Sequence, residues 1–328
     1  MARFERLLDS FDAGATHPLE VALPKRMHVE ITNSCNLKCV MCYSPHMKRR
    51  KRFMKMDEFR RLALVAAEHG ILEMGLYTTG EAFLHPKAVE FIAIAKHEAR
   101  IPYVYITSNG TLLTRKKADG AIVNGLDSLN LSIDGASKET YEKIRLGGDF
   151  DRLTENIRYV RKRRDETGSK MRICVTCVVQ KTNEHELGSF HETFSGIADE
   201  VVFQPLANMA GQMIERFKEL LAPSMREMYR DAEKTSMDTP CSLLWKQLNV
   251  TADGHLTACC IDYEMALEYA DLNKTPLPEA WNNLRMQQLR RNMLAKDYAD
   301  MPMCAGCDQY RFDWQKLVTA TRERWRPL

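Results

Sequence analysis

Between residues 26 and 206, six short segments rich in apolar and β-branched residues alternate with segments of helical period. The six are RMHVEIT (26–32), LEMGLYT (72–78), PYVYITSN (102–109), SLNLSID (128–134), MRICVTCVVQ (171–180) and EVVFQPL (200–206). The helical segments include MDEFRRLALVAAEHG (56–70), HPKAVEFIAIAKHEA (85–99) and FDRLTENIRYVRKRRDE (150–166). Strands that are apolar on both faces and separated by helices indicate parallel β-α-β units. Six such units predict most of a (β/α) barrel, with its chemistry at the carboxyl ends of the strands.

The alternation stops near residue 235, where a tail begins that holds all four tryptophans and several cysteines. A chain of 328 residues is long enough for one α/β domain with an appendage. We therefore divide the chain into an N-terminal extension (1–24), a barrel (25–234) and a C-terminal cysteine-bearing domain (235–328).

Composition excludes several classes of protein. The sequence has no apolar segment of signal-peptide or membrane-spanning length, so we expect a cytoplasmic protein without a membrane partner. The net charge of +3 is too small to predict binding to nucleic acid. In a reducing compartment, clustered members of the ten cysteines are metal ligands or catalytic groups rather than disulfides. Cys174 and Cys177 are the exception, because residues three apart on a predicted strand point to opposite faces and suit core positions.

Three cysteines, Cys35, Cys39 and Cys42, lie in CNLKCVMC directly after the first predicted strand. A zinc site normally takes CxxC pairs that sum to four ligands. Here a single loop offers three thiolates, which leaves one coordination position open. In a 4Fe-4S cluster, that arrangement leaves one iron available to a substrate or cofactor.

With the spacing CxxxCxxC after the first strand, the chain resembles the radical SAM superfamily. The family usually has an aromatic residue before the third cysteine, where this chain has Met41 and places Tyr43 just after it. The resemblance implies a partial (β/α)6 TIM-like barrel and S-adenosylmethionine (SAM) bound to the open iron of a 4Fe-4S cluster. Reductive cleavage of SAM then gives methionine and a 5′-deoxyadenosyl radical, which abstracts hydrogen from an unactivated C–H bond.

Further segments match the SAM-binding segments of that family. TTGEA (78–82) stands where relatives have a GGEP-like sequence, and TSNGTLL (107–113) and LSIDGASKETYEKIR (131–145) follow the third and fourth strands. The resemblance assigns SAM binding to Thr79, Gly80, Glu81, Ser108, Asn109, Ser132, Asp134 and Arg145. Glu81 would receive the amino group of SAM, and Arg145 its carboxylate through a forked, charge-assisted pair. For Ser108, Asn109, Ser132 and Asp134 a turn or capping role is an open alternative.

The tail resembles the SPASM/twitch auxiliary-cluster domain, with Cys241, Cys259 in GHLTAC, and Cys304 and Cys307 in CAGC. Because no cysteine follows Cys307, the resemblance implies a shorter, twitch-like domain with one second, auxiliary 4Fe-4S cluster held by these four cysteines. A four-thiolate zinc site is the alternative. Cys260 is left over as a spare ligand, an inert thiol or a hydrogen-atom donor, and in an extended segment it would point away from Cys259.

We expect a radical SAM oxidoreductase that dehydrogenates a small polyol, aminocyclitol or sugar-like substrate. Three alternatives are an epimerase with Cys260 as its catalytic hydrogen donor, a maturase of ribosomal peptides, and a non-enzymatic iron-sulfur or zinc protein. Only some 25 residues precede the first strand, which disfavours a dedicated leader-binding domain. The expected partners are a small-molecule substrate and an electron donor of the flavodoxin or ferredoxin type. The basic run at 48–52 is either a solvated loop or the surface that steers this acidic donor.

Overall fold

The fold is taken from a computed structural model, which describes residues 17–234, 240–311 and 314–325. Nine strands form its main sheet. In chain order they are β1 (Arg26–Val29), β2 (Glu73–Gly75), β3 (Tyr103–Ser108), β4 (Ser128–Ser132), β5 (Arg172–Val179), β6 (Glu200–Pro205), β7 (Leu248–Val250), β8 (His255–Thr257) and β9 (Glu268–Asp271). The first six lie within the six predicted segments, so the strand prediction is confirmed.

The strand order in this sheet is β9-β8-β7-β1-β2-β3-β4-β5-β6. Every neighbouring pair from β1 to β6 is parallel, as expected of β-α-β units. This is the predicted partial (β/α)6 barrel. Because the strands are parallel, the loops that follow β1, β2, β3 and β4 meet at one edge of the sheet, and these loops carry the predicted site residues.

Helices cover the parallel sheet and build much of the tail. In chain order they are α1 (Met56–Glu68), α2 (Ala88–Ala93), α3 (Arg115–Val123), α4 (Lys138–Ile144), α5 (Phe150–Glu166), α6 (Leu187–Ser195), α7 (Ile214–Leu220), α8 (Arg226–Lys234), α9 (Leu243–Lys246), α10 (Leu277–Trp281), α11 (Leu284–Ala295), α12 (Pro302–Ala305), α13 (Asp308–Arg311) and α14 (Trp314–Arg324). Helix α2 continues as a π-helical turn over Ile94–Glu98. None of the helices within the described residues is both long and apolar enough to span a membrane.

In helix α5, the local sequence determines where the helix begins and which face is buried. Asp149 caps its amino end by accepting a hydrogen bond from the Arg152 backbone N–H at 3.0 Å. Leu153, Ile157 and Val160 recur at helical spacing and are fully buried, so one face of the helix packs on the sheet.

Among the described residues, the strands of the tail extend the sheet of the barrel. Strand β7 pairs in parallel with β1 on the edge that the barrel leaves open, and β8 then pairs antiparallel with β7. Helix α14 packs against β6 at the opposite edge. Both edges of the six-stranded sheet are therefore covered by the tail, which brings its cysteines to the mouth of the barrel.

The described part of the N-terminal extension is hydrogen-bonded to the tail. The Trp245 indole N–H donates to the Pro18 carbonyl at 2.8 Å, and the Arg290 guanidinium donates to the Leu19 carbonyl at 2.6 Å. The first 16 residues of the predicted extension lie outside the described residues. The predicted boundary at 234/235 stays a prediction.

Candidate active site

The three cysteines of the first loop lie together at the carboxyl end of β1. A two-residue antiparallel pair, Lys38–Cys39 with Arg145–Leu146, ties this loop to the end of α4. Backbone N–H groups donate towards two of the sulfurs, from Leu37 to Cys35 at 3.5 Å and from Ser44 to Cys42 at 3.4 Å. Burial raises the pKa of Cys35, and it raises the pKa of Cys39 to about 12 although Arg145 opposes the shift. Thiolates at these buried positions need cationic partners, which iron ions supply.

Arg145 lies beside this loop as one half of a buried ion pair. Its Nη2 is 2.7 Å from the Asp134 Oδ2, and its Nη1 is 3.7 Å from the Cys39 Sγ. Asp134 is completely buried, and its other carboxylate oxygen accepts the Val178 backbone N–H at 2.8 Å. Burial raises the pKa of Asp134, which Arg145 counteracts. Asp134 therefore fixes the guanidinium next to the cysteines, while Ser132, two residues earlier, is half-buried.

Glu81 lies under the same loop at the centre of a hydrogen-bond network. Its carboxylate accepts the Ser108 hydroxyl at 2.7 Å, the Asn109 backbone N–H at 2.7 Å and the Phe83 backbone N–H at 3.0 Å. The Asn109 side-chain amide donates to Asn36 in the cysteine loop at 3.0 Å. Burial raises the pKa of Glu81 despite these donors, so a cation near its carboxylate would be stabilised.

The loop containing TTGEA approaches the cysteine loop so closely that only glycine fits at position 80. A Cβ there would stand 2.3 Å from the Thr32 carbonyl oxygen and 2.8 Å from that of Ser34. The neighbouring Glu81 backbone N–H donates to the Ser34 carbonyl at 2.8 Å. Gly80 thus allows two site loops to pack backbone against backbone.

The tail brings its five cysteines together at one place. Burial raises the pKa of Cys241 to about 11 and that of Cys304 to about 12. Cys241 is close enough to Cys304 for a thiolate there to raise the pKa of Cys304, and Cys307 acts on the pKa of Cys259 in the same way. All four predicted ligands therefore converge, and they pack against the main hydrophobic core.

Cys260 departs from the expectation that it points away from Cys259. The two thiols contact each other and line the same small cavity. The expectation is wrong because residues 258–260 form a bend and a turn rather than an extended strand, so the side-chain alternation of a strand does not apply.

Residues of the barrel and two cysteines of the tail line this cavity together, a contact that sequence reasoning did not predict. Glu30, Arg49 and Thr79 line it on the barrel side, and Cys259 and Cys260 line it on the tail side. A second link is Tyr263, whose hydroxyl oxygen is 3.6 Å from the Cys42 Sγ. The sequence signal for Glu30 was an acid inside an apolar strand segment, RMHVEIT.

The basic run at 48–52 is only partly a surface feature. Arg49 forms an ion pair with the buried Glu30, and its side chain is 10% exposed. Arg52 contacts Glu58 at 3.4 Å and donates to the Ala252 carbonyl at 3.2 Å. The interpretation as a solvated loop is therefore wrong for Arg49, whereas Lys48, Arg50 and Lys51 are exposed.

Cys174 and Cys177 behave as predicted. Both are buried on β5, at 2% and 0% exposure. The Cys174 thiol is 3.7 Å from Glu200, whereas Cys177 accepts the Asn183 amide at 3.4 Å, so the two thiols have separate surroundings. They are small core residues.

The donor sets fit iron-sulfur clusters. Among the described residues, no group of three or more His, Cys, Asp or Glu side chains is arranged to hold a single metal ion. Each cysteine of a cubane cluster binds a different iron, so its sulfurs stand further apart than the ligands of one ion. Three half-buried thiols at the first site and five at the second are chemically suited to a cluster with an open iron and a fully ligated one.

Comparison with known sequence families gives two matches. Residues 29–192 match the radical SAM superfamily, and residues 241–308 match SPASM, described as an iron-sulfur cluster-binding domain. These matches imply a SAM-binding 4Fe-4S cluster, SAM and an auxiliary cluster.

Among curated proteins, the chain is 27% identical over 267 residues to the GTP 3′,8-cyclase of Chlorobaculum tepidum, covering 73% of this chain and 79% of that one. It is 31% identical over 135 residues to the probable GTP 3′,8-cyclase of Methanocaldococcus jannaschii, covering 41% and 44%. The chain thus spans less than half of this second relative.

Among solved structures, BtrN in complex with AdoMet and 2-DOIA has a TM-score of 0.57 at 14% identity, covering 87% of this chain and 93% of that one. The anSMEcpe structure with bound AdoMet has a TM-score of 0.62 at 14% identity, covering 92% and 96%. Streptococcus suis SuiB bound to the precursor peptide SuiA has a TM-score of 0.65 at 14% identity, covering 90% and 71%. These likenesses show the fold.

Proposed function

Because this chain belongs to the radical SAM superfamily and carries an iron-sulfur cluster-binding domain in its tail, we propose that it oxidises a small polyol, aminocyclitol or sugar-like substrate by two electrons. When bound, SAM and the first cluster supply a 5′-deoxyadenosyl radical that takes a hydrogen atom from a substrate C–H bond. The residues of the chain position the reactants and exclude water.

In this proposal the two groups of cysteines have different tasks. Cys35, Cys39 and Cys42 hold the first cluster and leave one iron open for SAM. The auxiliary 4Fe-4S cluster is held by Cys241, Cys259, Cys304 and Cys307.

We assign the carboxylate of SAM to Arg145 and its amino group to Glu81. The Arg145 Nε has no hydrogen-bond partner among the described residues although the side chain is buried beside Cys39, which supports this role. The raised pKa of Glu81 supports a cation as its neighbour. Asp134 then acts as the positioning residue for Arg145.

The remaining predicted SAM-binding residues lie around the hydrogen-bond network of Glu81. Ser108 and Asn109 hold Glu81 in place, and Asn109 also ties it to the cysteine loop. Thr79 and Gly80 bring backbone groups next to that loop, and the half-buried Ser132 is left for the ribose of SAM. The family resemblance motivates these contacts.

One observation supports oxidation above all: the tail gathers five thiols where a cubane needs four. Complete ligation leaves no iron to bind a substrate directly, which favours electron acceptance. The balance is then complete. One hydrogen atom would go to the 5′-deoxyadenosyl radical, which becomes 5′-deoxyadenosine. The hydroxyl proton would go to solvent and the second electron to the auxiliary site, so that the alcohol becomes a ketone.

Epimerisation is the second candidate because Cys260 lines the small cavity that Glu30, Arg49 and Thr79 also line. The S–H bond of a thiol is comparatively weak, so Cys260 would return a hydrogen atom to a carbon radical and become a thiyl radical. One electron from the auxiliary site and one proton from solvent would then restore the thiol. The substrate would then keep its oxidation state and invert one centre.

The test begins with anaerobically reconstituted, reduced protein and SAM, in D2O, with a panel of polyols, aminocyclitols, sugars and GTP. We expect 5′-deoxyadenosine and a product two hydrogens lighter than its substrate. A product of unchanged oxidation state with deuterium at the inverted carbon would instead establish the epimerase. Absence of 5′-deoxyadenosine from protein with a full first cluster would refute both, and a cyclised product from GTP would refute the substrate class.

A further inference from the structure

A groove opens beside the cysteine loop of the first group, and Cys39 forms part of its lining. Its volume is about 790 Å³, which is the size of sites that take up a cofactor-sized group. One wall is the cysteine loop together with Leu146, and the other is the segment 211–216, which leads into α7. No other cysteine among the described residues lines this groove, so it lies at the first group and not at the second.

Large apolar side chains on both walls of the groove are exposed to solvent. Leu146 is 46% exposed on the first wall, and Ile214 is 41% exposed on the second. Val40, Pro45 and Met213 add apolar surface to the lining. An exposed apolar patch with polar neighbours is typical of a site where another molecule binds.

Polar side chains of the second wall are already engaged elsewhere. The Gln212 amide donates to the Ile261 carbonyl at 3.1 Å, and the Arg216 guanidinium donates to the Val40 carbonyl at 3.0 Å. These bonds tie the second wall to the tail and to the cysteine loop, so the groove is formed before a partner arrives. They also leave mainly apolar contacts to offer, which does not suit a polyol substrate.

Leu146 is held next to the first group through the backbone. It pairs with Lys38 in the same two-residue ladder in which Arg145 pairs with Cys39. A molecule seated on Leu146 therefore lies beside one of the three ligands that we assign to the first cluster. Because electron transfer slows steeply with distance, the groove is a suitable place for an electron to enter.

The charges around the groove favour an acidic partner. Lys38 is exposed and forms no ion pair with another described residue. The two charged residues of the second wall are each paired within α7, so their charges cancel. On the other side, His46 lines the groove two residues before the basic run at 48–52, which has exposed members. This surplus of positive charge would steer an acidic protein towards the groove.

We propose that this groove is the docking site of a small, acidic flavoprotein of the flavodoxin type, with the edge of its flavin against Leu146 and Ile214. A flavin has a planar, apolar dimethylbenzene edge, which fits an apolar groove, whereas the cluster of a ferredoxin is enclosed by its own polypeptide. The reduced flavin loses one electron and the first cluster gains it, and no proton has to move. This inference rests on the proposed function, of which it names the electron donor and its binding site.

The test is calorimetric binding of oxidised flavodoxin to anaerobically reconstituted protein with SAM. At low salt we expect Leu146→Asp and Lys38→Glu to weaken binding at least tenfold, because each places a negative charge at the groove. The loss for Lys38→Glu should shrink at high salt. The matched controls are Leu284→Asp, at a leucine of the tail that is 80% exposed, and Lys170→Glu, at an exposed lysine beyond α5. Neither control should change the affinity more than twofold.

Iron content, and 5′-deoxyadenosine formed with dithionite, show whether each variant keeps the first cluster. Unchanged affinity of Leu146→Asp for flavodoxin, or a wild type that binds ferredoxin and not flavodoxin, would overturn the inference. A wild type that forms 5′-deoxyadenosine with dithionite and does not bind flavodoxin would refute the docking site alone. A wild type that binds flavodoxin as expected yet forms no 5′-deoxyadenosine with either reductant would refute the proposed function alone.

Discussion

The two cysteine groups of this chain differ in number and in surroundings. The first has three thiols next to charged and polar side chains, with Arg145 3.7 Å from Cys39 and Asn36 tied into the network of Glu81. The second has five thiols, four of which pack against the apolar core. An incomplete thiolate set suits a cluster that binds a charged ligand, whereas a complete set packed against the core suits a cluster that only stores and passes electrons.

The largest effect should come from removing either group of thiols. We expect about eight irons per chain after anaerobic reconstitution, from two cubanes. The triple change of Cys35, Cys39 and Cys42 to alanine should halve the iron and abolish formation of 5′-deoxyadenosine. Retained cleavage of SAM would contradict our assignment of the SAM site.

The complementary variant lacks two cysteines of the second group, Cys304 and Cys307. It should also halve the iron, yet keep an electron paramagnetic resonance signal that changes when SAM is added, because the open iron belongs to the first group. A SAM-responsive signal lost with the tail cysteines and kept without the loop cysteines would reverse the comparison.

The six strands could be predicted because strands buried on both faces leave continuous apolar runs in the sequence. Both groups of cysteines could also be predicted, since spacing along the chain is enough to recognise them. The predicted segment extends beyond strand β2 (Glu73–Gly75). At its end, the Thr78 hydroxyl donates to the Glu30 carboxylate in the site.

The sequence alone does not reveal which distant residues come into contact. Arg49 meets Glu30 and Tyr263 meets Cys42 at separations of 19 and 221 residues, and the second contact depends on the tail joining β1 through β7. The direction of the Cys260 side chain depends on a local turn that residue type alone does not reveal.

The next effect concerns the charged surroundings of the first group. Arg145→Met leaves Asp134 as an uncompensated buried charge, so we expect a loss of about 3–5 kcal/mol in the free energy of unfolding. Urea denaturation measures it. Asp134→Asn/Arg145→Met should lose less, and Lys143→Met, in an exposed pair with Glu139, should lose nothing measurable. Equal losses for the single and double variants would show that the pair is not coupled.

A smaller effect is expected at the exposed basic residues near the first group. Changing Lys48, Arg50 and Lys51 to glutamine should lower turnover with flavodoxin by about three- to tenfold at low salt, because a cationic surface steers an acidic electron donor. Turnover with dithionite should stay the same, and the loss should shrink at high salt.

The control for this prediction removes three exposed charges elsewhere, as Arg158→Gln/Lys162→Gln/Lys170→Gln on and beyond α5. It should leave turnover with flavodoxin nearly unchanged. If the variant at Lys48, Arg50 and Lys51 loses as much turnover with dithionite as with flavodoxin, these residues have a role in folding or substrate binding instead. Arg49 is left intact throughout, since its side chain contacts Glu30 rather than solvent.

The smallest effect is expected at Cys260, and it tests whether the second group only passes electrons. Four thiols complete the cluster, so Cys260→Ala should keep all of the iron, form 5′-deoxyadenosine and still release a product two hydrogens lighter. Because Cys260 contacts Cys259, it could replace that ligand, and Cys259→Ala/Cys260→Ala is needed to show loss of the auxiliary iron. If Cys260→Ala keeps both clusters but releases no product, and the wild type places solvent deuterium in a product of unchanged oxidation state, the second group contributes a hydrogen donor. The contrast between a reactive first group and an electron-passing second group would then be wrong.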